Sequence, residues 1–147
     1  MMETIKLVVL GKPESQARPK FFKRGNFTGT YDPSKGKKET FASILQKQAP
    51  SEPISDPISI EMVFYMPRSK NHYRSGKNAR LLKDDAPEYH SGRPDLDNLQ
   101  KFILDSLNNI FFKDDALVCR IDACKKYSER KACGRNSTTS KLQRSFI

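Results

Sequence analysis

The stretch from residue 93 to residue 123 constrains the fold most strongly, because its pattern predicts an extended segment, a helix and a strand in quick succession. Pro94 disfavours helical backbone at the residue before it. Apolar side chains then recur at helical spacing and predict an amphipathic helix; they are Leu99, Phe102, Ile103, Leu107 and Ile110. A turn at 113–115 leads into a predicted strand over 116–123. Helix and strand should therefore run antiparallel.

Acidic residues flank this predicted helix at both ends. Asp95 and Asp97 lie two residues apart in a segment predicted to be extended, so their carboxylates should point the same way. Lys101 lies one helical turn beyond Asp97 and can reach the same region. Asp114 and Asp115 fall in the turn at the other end of the helix, so spacing alone does not place all the carboxylates in one site.

Each pair of aspartates also has a purely structural explanation. Asp97 or Asn98 can cap the helix, and an acid near a helix N-terminus is worth about 1 kcal/mol. Asp114 and Asp115 form a common turn pair. The alternative is that the carboxylates hold a hard, oxygen-preferring cation beside a phosphate. The aspartate pattern on its own leaves both explanations open.

The net charge favours a polyanionic partner. The 147 residues carry 27 Lys and Arg against 17 Asp and Glu, which gives a formal net charge of +10 and a pI near 9.6. Charge alone does not separate nucleic acid from an anionic membrane. No apolar run approaches the roughly 18 residues that span a bilayer, and the N-terminal sequence lacks the plan of a signal peptide. A cytoplasmic location is therefore expected.

The rest of the chain predicts three further regular elements in a single domain. A strand is predicted over 4–11, where apolar residues fill both faces. A helix is predicted over 33–48, with Asp32 as its N-cap and a proline in its first turn. Alternating apolar residues over 58–66 predict another strand.

Residues 12–30 contain prolines, glycines and bases, and they predict a loop or a short irregular hairpin. Phe21, Phe22 and Phe27 lie in this segment. Their rings either stack on nucleic-acid bases or pin the loop to the core. We expect the pinning role, because base stacking requires exposed rings and the sequence does not show exposure.

Residues 67–92 form the most basic segment, and no acid occurs in it before Asp84. With little to bury, the segment should be a mobile loop until it meets a partner. It is either an ordinary solvated charge run or an arm that positions DNA, and the sequence favours neither. The basic side chains that would contact phosphates are Arg68, Lys70, Arg74, Lys77 and, just beyond the segment, Arg93.

Zinc is not expected. The three cysteines are odd in number, which disfavours a disulfide scaffold. Their spacing, and that of the two histidines, does not match paired zinc-binding motifs; these residues are Cys119, Cys124, Cys133, His72 and His90.

With these residues in place, the sequence resembles the RusA family of bacterial and bacteriophage Holliday junction resolvases. The resemblance is carried by Arg93–Lys101, Asp105–Leu107 and Lys113–Val118, and it extends to Lys125–Ser128. A looser match covers residues 11–13, 18–20 and 31–33.

This resemblance implies an α/β (α+β) fold with a small mixed sheet and two main helices. It implies that Asp95, Asp97 and Asp115 are catalytic and bind Mg²⁺, with Mn²⁺ as a substitute, and that Lys101 is catalytic. It further implies a magnesium-dependent endodeoxyribonuclease that acts as a homodimer on four-way DNA junctions in recombination and repair. Two equivalent sites suit a two-fold junction that must be cut symmetrically.

The C-terminal region departs from the family pattern. The family continues into a final strand, but residues 131–140 are polar and predict none. We therefore expect a nuclease domain over 1–130 and a divergent, disordered tail over 131–147. Two rival functions remain: a non-catalytic, basic nucleic-acid-binding module, and a metal-dependent nuclease acting on other branched DNA or on RNA.

Overall fold

The computed structural model describes residues 4–10, 12–128 and 137–144. Two helices and two small sheets form in this part of the chain. The strands are β1 (Thr4–Leu10), β2 (Lys20–Arg24), β3 (Phe27–Tyr31), β4 (Ile58–Met66), β5 (Val118–Tyr127) and β6 (Ser137–Arg144), and the helices are α1 (Lys35–Gln46) and α2 (Leu96–Leu107). The predicted α+β class, with a mixed sheet and two helices, is confirmed.

The elements fall into two compact units that alternate along the chain, with crossings near residues 13, 55, 93 and 117. One unit contains the larger sheet, in the order β1-β6-β4-β5. In it β6 runs antiparallel to both β1 and β4, and β5 runs parallel to β4. Every second side chain of β4 is buried, which is the alternation that predicted this strand.

Strand β6 differs from the sequence expectation, because Ser137–Arg144 lies between β1 and β4 instead of in an irregular tail. The segment lacks the apolar alternation by which a strand is recognised, yet its threonines are β-branched and suit extended backbone. Backbone pairing on both sides then satisfies its N–H and C=O groups. The domain boundary expected at residue 130 would omit this strand. Residues 131–136 and 145–147 lie outside the described residues.

The other unit contains both helices. The Phe41 ring of α1 meets the Phe102 ring of α2 edge to face, with 5.6 Å between the ring centroids. Most of the apolar positions that predicted α2 are fully buried; they are Leu99, Phe102, Ile103 and Leu107. Both predicted helices are confirmed, with different ends. Helix α1 covers 35–46 with Ser34 as its N-cap residue in place of Asp32, and α2 covers 96–107 with Asp95 as its N-cap residue in place of Asp97 or Asn98.

A reversal follows α2. Asn109 adopts left-handed backbone with φ 63°, a conformation that asparagine tolerates better than most residues. Phe111 and Phe112 are then fully buried, and backbone hydrogen bonds join Ile54 to Phe111 and to Lys113. The chain consequently turns back before a short 3-10 turn at Asp115–Leu117, and β5 begins two residues later than predicted.

Strands β2 and β3 form a regular antiparallel hairpin where the sequence predicted a loop or an irregular hairpin. Its aromatic rings are exposed, so the expectation that they pin the segment to the core is wrong. In the larger unit, segment 67–92 is held by two 3-10 turns, Lys70–His72 and Gly76–Asn78, and by backbone hydrogen bonds across it. No helix in the described ranges has the length and apolar character to cross a membrane.

Candidate active site

Asp95 and Asp97 occupy the start of α2. Asp95 is the N-cap residue, with extended backbone at φ −70° and ψ 146°. The helix already begins at Leu96, so the expectation that Asp95 and Asp97 share one extended segment is wrong. The Asp95 side chain makes no capping hydrogen bond. Asp97 lies in the first turn, where the helix dipole favours negative charge. Both residues are exposed, and within the described residues neither carboxylate has a hydrogen-bonding or ionic partner. The capping explanation therefore does not account for the Asp95 carboxylate.

One open pocket brings together most of the predicted catalytic residues. Asp97 and Lys101 line a cavity of about 290 Å³ from one face of α2, and Asp115 lines it from the 3-10 turn before β5. The rest of the lining is Gln100, Leu104 and Asp105. Asp95 is outside this lining. The reversal after α2 supplies the bend that sequence spacing could not provide.

The two neighbouring turn aspartates differ in what their carboxylates do. Oδ1 of Asp114 accepts a hydrogen bond of 2.8 Å from the backbone N–H of Ala116, so Asp114 stabilises the turn. The Asp115 carboxylate has no such partner among the described residues and is exposed at the pocket. The turn explanation therefore fits Asp114, and Asp115 is left free to bind a ligand.

A lysine on α1 organises a second acidic cluster that the sequence analysis missed. Lys38 Nζ lies 2.9 Å from Asp32 Oδ2 and 2.8 Å from Asp105 Oδ2, and it joins α1 to α2. Asp32 Oδ1 also accepts hydrogen bonds from the backbone N–H of Ser34 and from Gln16 Nε2. Asp105 is 67 residues from Lys38 in sequence, so only the fold reveals the pair.

The ionisation of this second cluster follows from its contacts. The Lys38 hydrogen bond, assisted by Ser34 and Gln16 and opposed by desolvation, lowers the pKa of Asp32 from 3.8 to about 2. Burial works to lower the pKa of Lys38, but its hydrogen bonds to Asp105 and Asp32 outweigh burial and the pKa is raised. Asp32 and Lys38 are therefore both charged at neutral pH, and Lys38 is paired with carboxylates of the protein itself.

The free carboxylates have the donor chemistry that Mg²⁺ prefers. Mg²⁺ keeps several waters and binds through one or two carboxylates together with substrate phosphates. Asp97 and Asp115 supply two such carboxylates at one pocket. No preassembled group of three His, Cys, Asp or Glu ligands occurs in the described part of the chain. The residues thus fit a partly hydrated cation shared with a phosphate better than a closed cation cage.

The predicted DNA-binding residues divide into two classes. Arg68 donates hydrogen bonds to the carbonyls of Ser128 and Pro87, and its guanidinium lies 5.1 Å from the centre of the Tyr127 ring. Arg74 donates to the Leu82 carbonyl and pairs with Asp84. The remaining three are exposed and have no partner in the described ranges; they are Lys70, Lys77 and Arg93.

Comparison with known proteins identifies the family to which the chain belongs. The family model described as endodeoxyribonuclease RusA matches residues 11–133. The chain is also 32% identical over 133 residues to the uncharacterized protein YqaN of Bacillus subtilis (strain 168), across 87% of this chain and 91% of that protein. The RusA match spans both ends of α2, the turn that carries Asp115 and the β2–β3 hairpin. The chain therefore belongs to the endodeoxyribonuclease RusA family.

Proposed function

We propose that the protein is a magnesium-dependent endonuclease that resolves four-way DNA junctions in recombination and repair. The observation that supports this most strongly is the shared pocket of Asp97, Lys101 and Asp115, in which neither carboxylate has an ionic partner among the residues that the structure describes. Family membership supplies the reaction class, since the matching family consists of endodeoxyribonucleases. The net charge of +10 suits a DNA substrate.

In this proposal, Asp97 and Asp115 hold Mg²⁺, and Asp95 contributes from the helix N-cap. The cation supplies activation of the attacking water and neutralisation of charge that develops on the scissile phosphate. Lys101 lines the same pocket and acts as a point charge that attracts and orients that phosphate. Phosphate binding is coupled to the carboxylates, because the negative charges of Asp97 and Asp115 repel DNA until a cation balances them.

The basic residues have two roles in the proposal. Lys70, Lys77 and Arg93 neutralise backbone phosphates through exposed side chains. Arg68 and Arg74 shape the surface that presents them, because their guanidinium groups are engaged within segment 67–92 and its neighbours. The first group should govern the salt dependence of DNA binding more than the second.

A homodimer in the cytoplasm completes the proposal. A four-way junction has two-fold symmetry, and two identical sites can cut paired strands symmetrically. Sedimentation at working concentration tests the dimer directly. A strictly monomeric protein would remove paired cutting from the proposal and leave a general nuclease.

The decisive experiment is cleavage of labelled four-way, forked and linear duplex DNA, each with and without Mg²⁺. The proposal predicts paired nicks in the four-way junction, weaker cutting of forks and little cutting of linear duplex, all requiring the cation. Equal cutting of junction and linear duplex would indicate an unselective nuclease. Binding without cleavage under any cation would support the non-catalytic module.

A further inference from the structure

The β2–β3 hairpin has an exposed aromatic surface that the proposed cleavage chemistry does not use. None of the ten residues of the two strands is buried, and nine of them are exposed. Phe21 is 77% exposed, Phe27 63%, Tyr31 48% and Phe22 41%. Proteins rarely present a contiguous group of rings to water unless something binds there.

The strand register places three of these rings on one face. Phe22 pairs with Gly29, Lys20 with Tyr31 and Arg24 with Phe27, and side chains directly opposite each other in a ladder share a face. The Phe22 ring centroid lies 6.2 Å from that of Phe27 and 6.4 Å from that of Tyr31. We call these three rings the aromatic platform.

Gly29 makes this arrangement possible. A Cβ added at Gly29 would lie 2.6 Å from Cζ of Phe22 and 3.1 Å from Cε1 of Phe27. The Phe22 ring therefore lies across the glycine opposite it, where any other residue would displace it. The absence of a side chain at residue 29 thus leaves room for the central ring of the platform, which is tilted by 56° to the Phe27 ring and by 52° to the Tyr31 ring.

The charge around the platform indicates which kind of partner would fit it. Four basic residues and no acidic residue occur between residues 18 and 31. Two of the basic residues, Lys20 and Arg24, flank the platform on its own face. A second copy docked here symmetrically would set these bases against each other. A polyanion with flat apolar faces fits instead. Nucleic acid offers phosphates to the basic side chains and the flat faces of its nucleobases to the aromatic rings.

We propose that the aromatic platform stacks on unpaired bases of branched DNA, with Lys20 and Arg24 holding the adjoining phosphates. In intact duplex the base faces are covered by their neighbours, whereas strands at a branch or in a single-stranded segment can present them. The platform then makes binding selective for branched over linear DNA. This inference rests on the proposed function, because it assigns the branched substrate of the same enzyme to a further contact surface.

The test measures binding in the Asp115→Asn background, in which the substrate should stay uncut. Phe22→Leu combined with Phe27→Leu keeps apolar bulk but removes two stacking faces. Affinity for a four-way junction and for single-stranded oligo-dT should fall about tenfold or more, while affinity for linear duplex changes less than about twofold. Gly29→Ala keeps every ring and charge but displaces Phe22, so it should weaken junction binding in the same selective way.

Two controls separate stacking from other effects. Ile44→Ala removes an exposed apolar side chain from α1 and should leave all three affinities unchanged. Lys20→Gln with Arg24→Gln should reduce the slope of log affinity against log salt, whereas the leucine variants should lower affinity without changing that slope. Circular dichroism confirms that each variant is folded.

Unchanged junction affinity in the folded leucine variants would overturn the inference, as would an equal loss on linear duplex. Dissociation of a wild-type dimer into monomers by the same substitutions, measured by sedimentation, would assign the platform to self-association instead. Cleavage by the wild-type protein is scored separately. Failure to cut any junction would contradict the proposed function, while the binding comparison would still decide whether the platform stacks on DNA bases.

Discussion

The helical unit contains two clusters of nearly the same composition, and they differ in whether their charges are paired. Lys38 lies within 2.9 Å of both Asp32 and Asp105. Lys101 shares a pocket with Asp97 and Asp115, yet none of these three side chains forms an ion pair among the described residues. The first cluster joins α1 to α2, whereas the second leaves its carboxylates available. Ion pairing, more than composition, therefore separates the aspartates that join the two helices from those that remain available to a ligand.

The largest expected effect comes from removing a carboxylate of the unpaired cluster, which consists of Asp97, Lys101 and Asp115. Asp97→Asn and Asp115→Asn should each lower the junction cleavage rate at least about 100-fold, because each removes a carboxylate that we assign to the cation. Junction binding should stay the same or tighten, since less negative charge faces the phosphates. The measurement is cleavage and binding of one labelled four-way junction.

The adjacent aspartate offers a matched control. Asp114→Asn changes charge by the same amount in the same turn, and its side-chain oxygen can still accept the hydrogen bond from Ala116. It should cut within a few-fold of wild type. Equal loss of cleavage in Asp114→Asn and Asp115→Asn would show that the two carboxylates are not distinguished in the way proposed.

The next largest effect comes from removing the lysine of the paired cluster, which consists of Lys38, Asp32 and Asp105. Lys38→Met leaves Asp32 and Asp105 without their shared cation, and the free energy of unfolding should fall by about 1–3 kcal/mol. Lys37→Met is the control, because the one ion pair of Lys37 within the described ranges is with Glu14, and both of those side chains are exposed. That substitution should cost less than about 0.5 kcal/mol. Urea unfolding measures both, and similar losses in the two variants would contradict the contrast.

A smaller effect concerns pH. The pKa of Asp32 is lowered in the folded protein, from 3.8 to about 2, so the folded state binds this proton less tightly than the unfolded state. The stabilisation from Asp32 is therefore present above about pH 4 and is lost as pH falls towards 2. Asp32→Asn should flatten the fall in unfolding free energy over this range. An unchanged pH profile in that variant would show that Asp32 does not carry this stabilisation.

The smallest expected effect concerns the exposed basic side chains of segment 67–92 that form no hydrogen bond or ion pair within the described residues. Lys70→Gln with Lys77→Gln should reduce the slope of log DNA affinity against log salt by about two units, because two fewer counterions are released. Lys47→Gln, an exposed base at the end of α1, is the control and should leave the slope unchanged. If the double variant keeps the wild-type slope, segment 67–92 is an ordinary solvated charge run.

The sequence predicted those parts of the fold whose signals are local. Strand 58–66 was predicted with its observed bounds, because the apolar residues that alternate along its sequence are the ones whose side chains are buried. Helix α2 was predicted from its apolar spacing, although it ends at Leu107, earlier than that spacing suggested, because Asn108 already has extended backbone. Strand β6 was not predicted, because its support comes from pairing with β1 and β4 on either side.

The candidate site shows the same division. Asp97, Lys101 and Asp115 were selected as candidates from their motif and its family resemblance, and the structure places all three at one pocket. Their shared pocket depends on the reversal through Phe111 and Phe112, whose burial no spacing rule reveals. The exposed rings of the hairpin were misjudged for a related reason, since a phenylalanine in the sequence carries no sign of whether neighbours cover it.

The central claim is that the unpaired carboxylates form a cation site, and metal binding tests it without relying on cleavage. Mn²⁺ is the probe, and electron paramagnetic resonance measures its free concentration as it is titrated into wild type, Asp97→Asn, Asp115→Asn and Asp114→Asn in the presence of uncut junction DNA. The account predicts that wild type and Asp114→Asn bind Mn²⁺ with similar affinity, and that Asp97→Asn and Asp115→Asn bind it at least about tenfold more weakly. Equal Mn²⁺ affinity in all four proteins would contradict it.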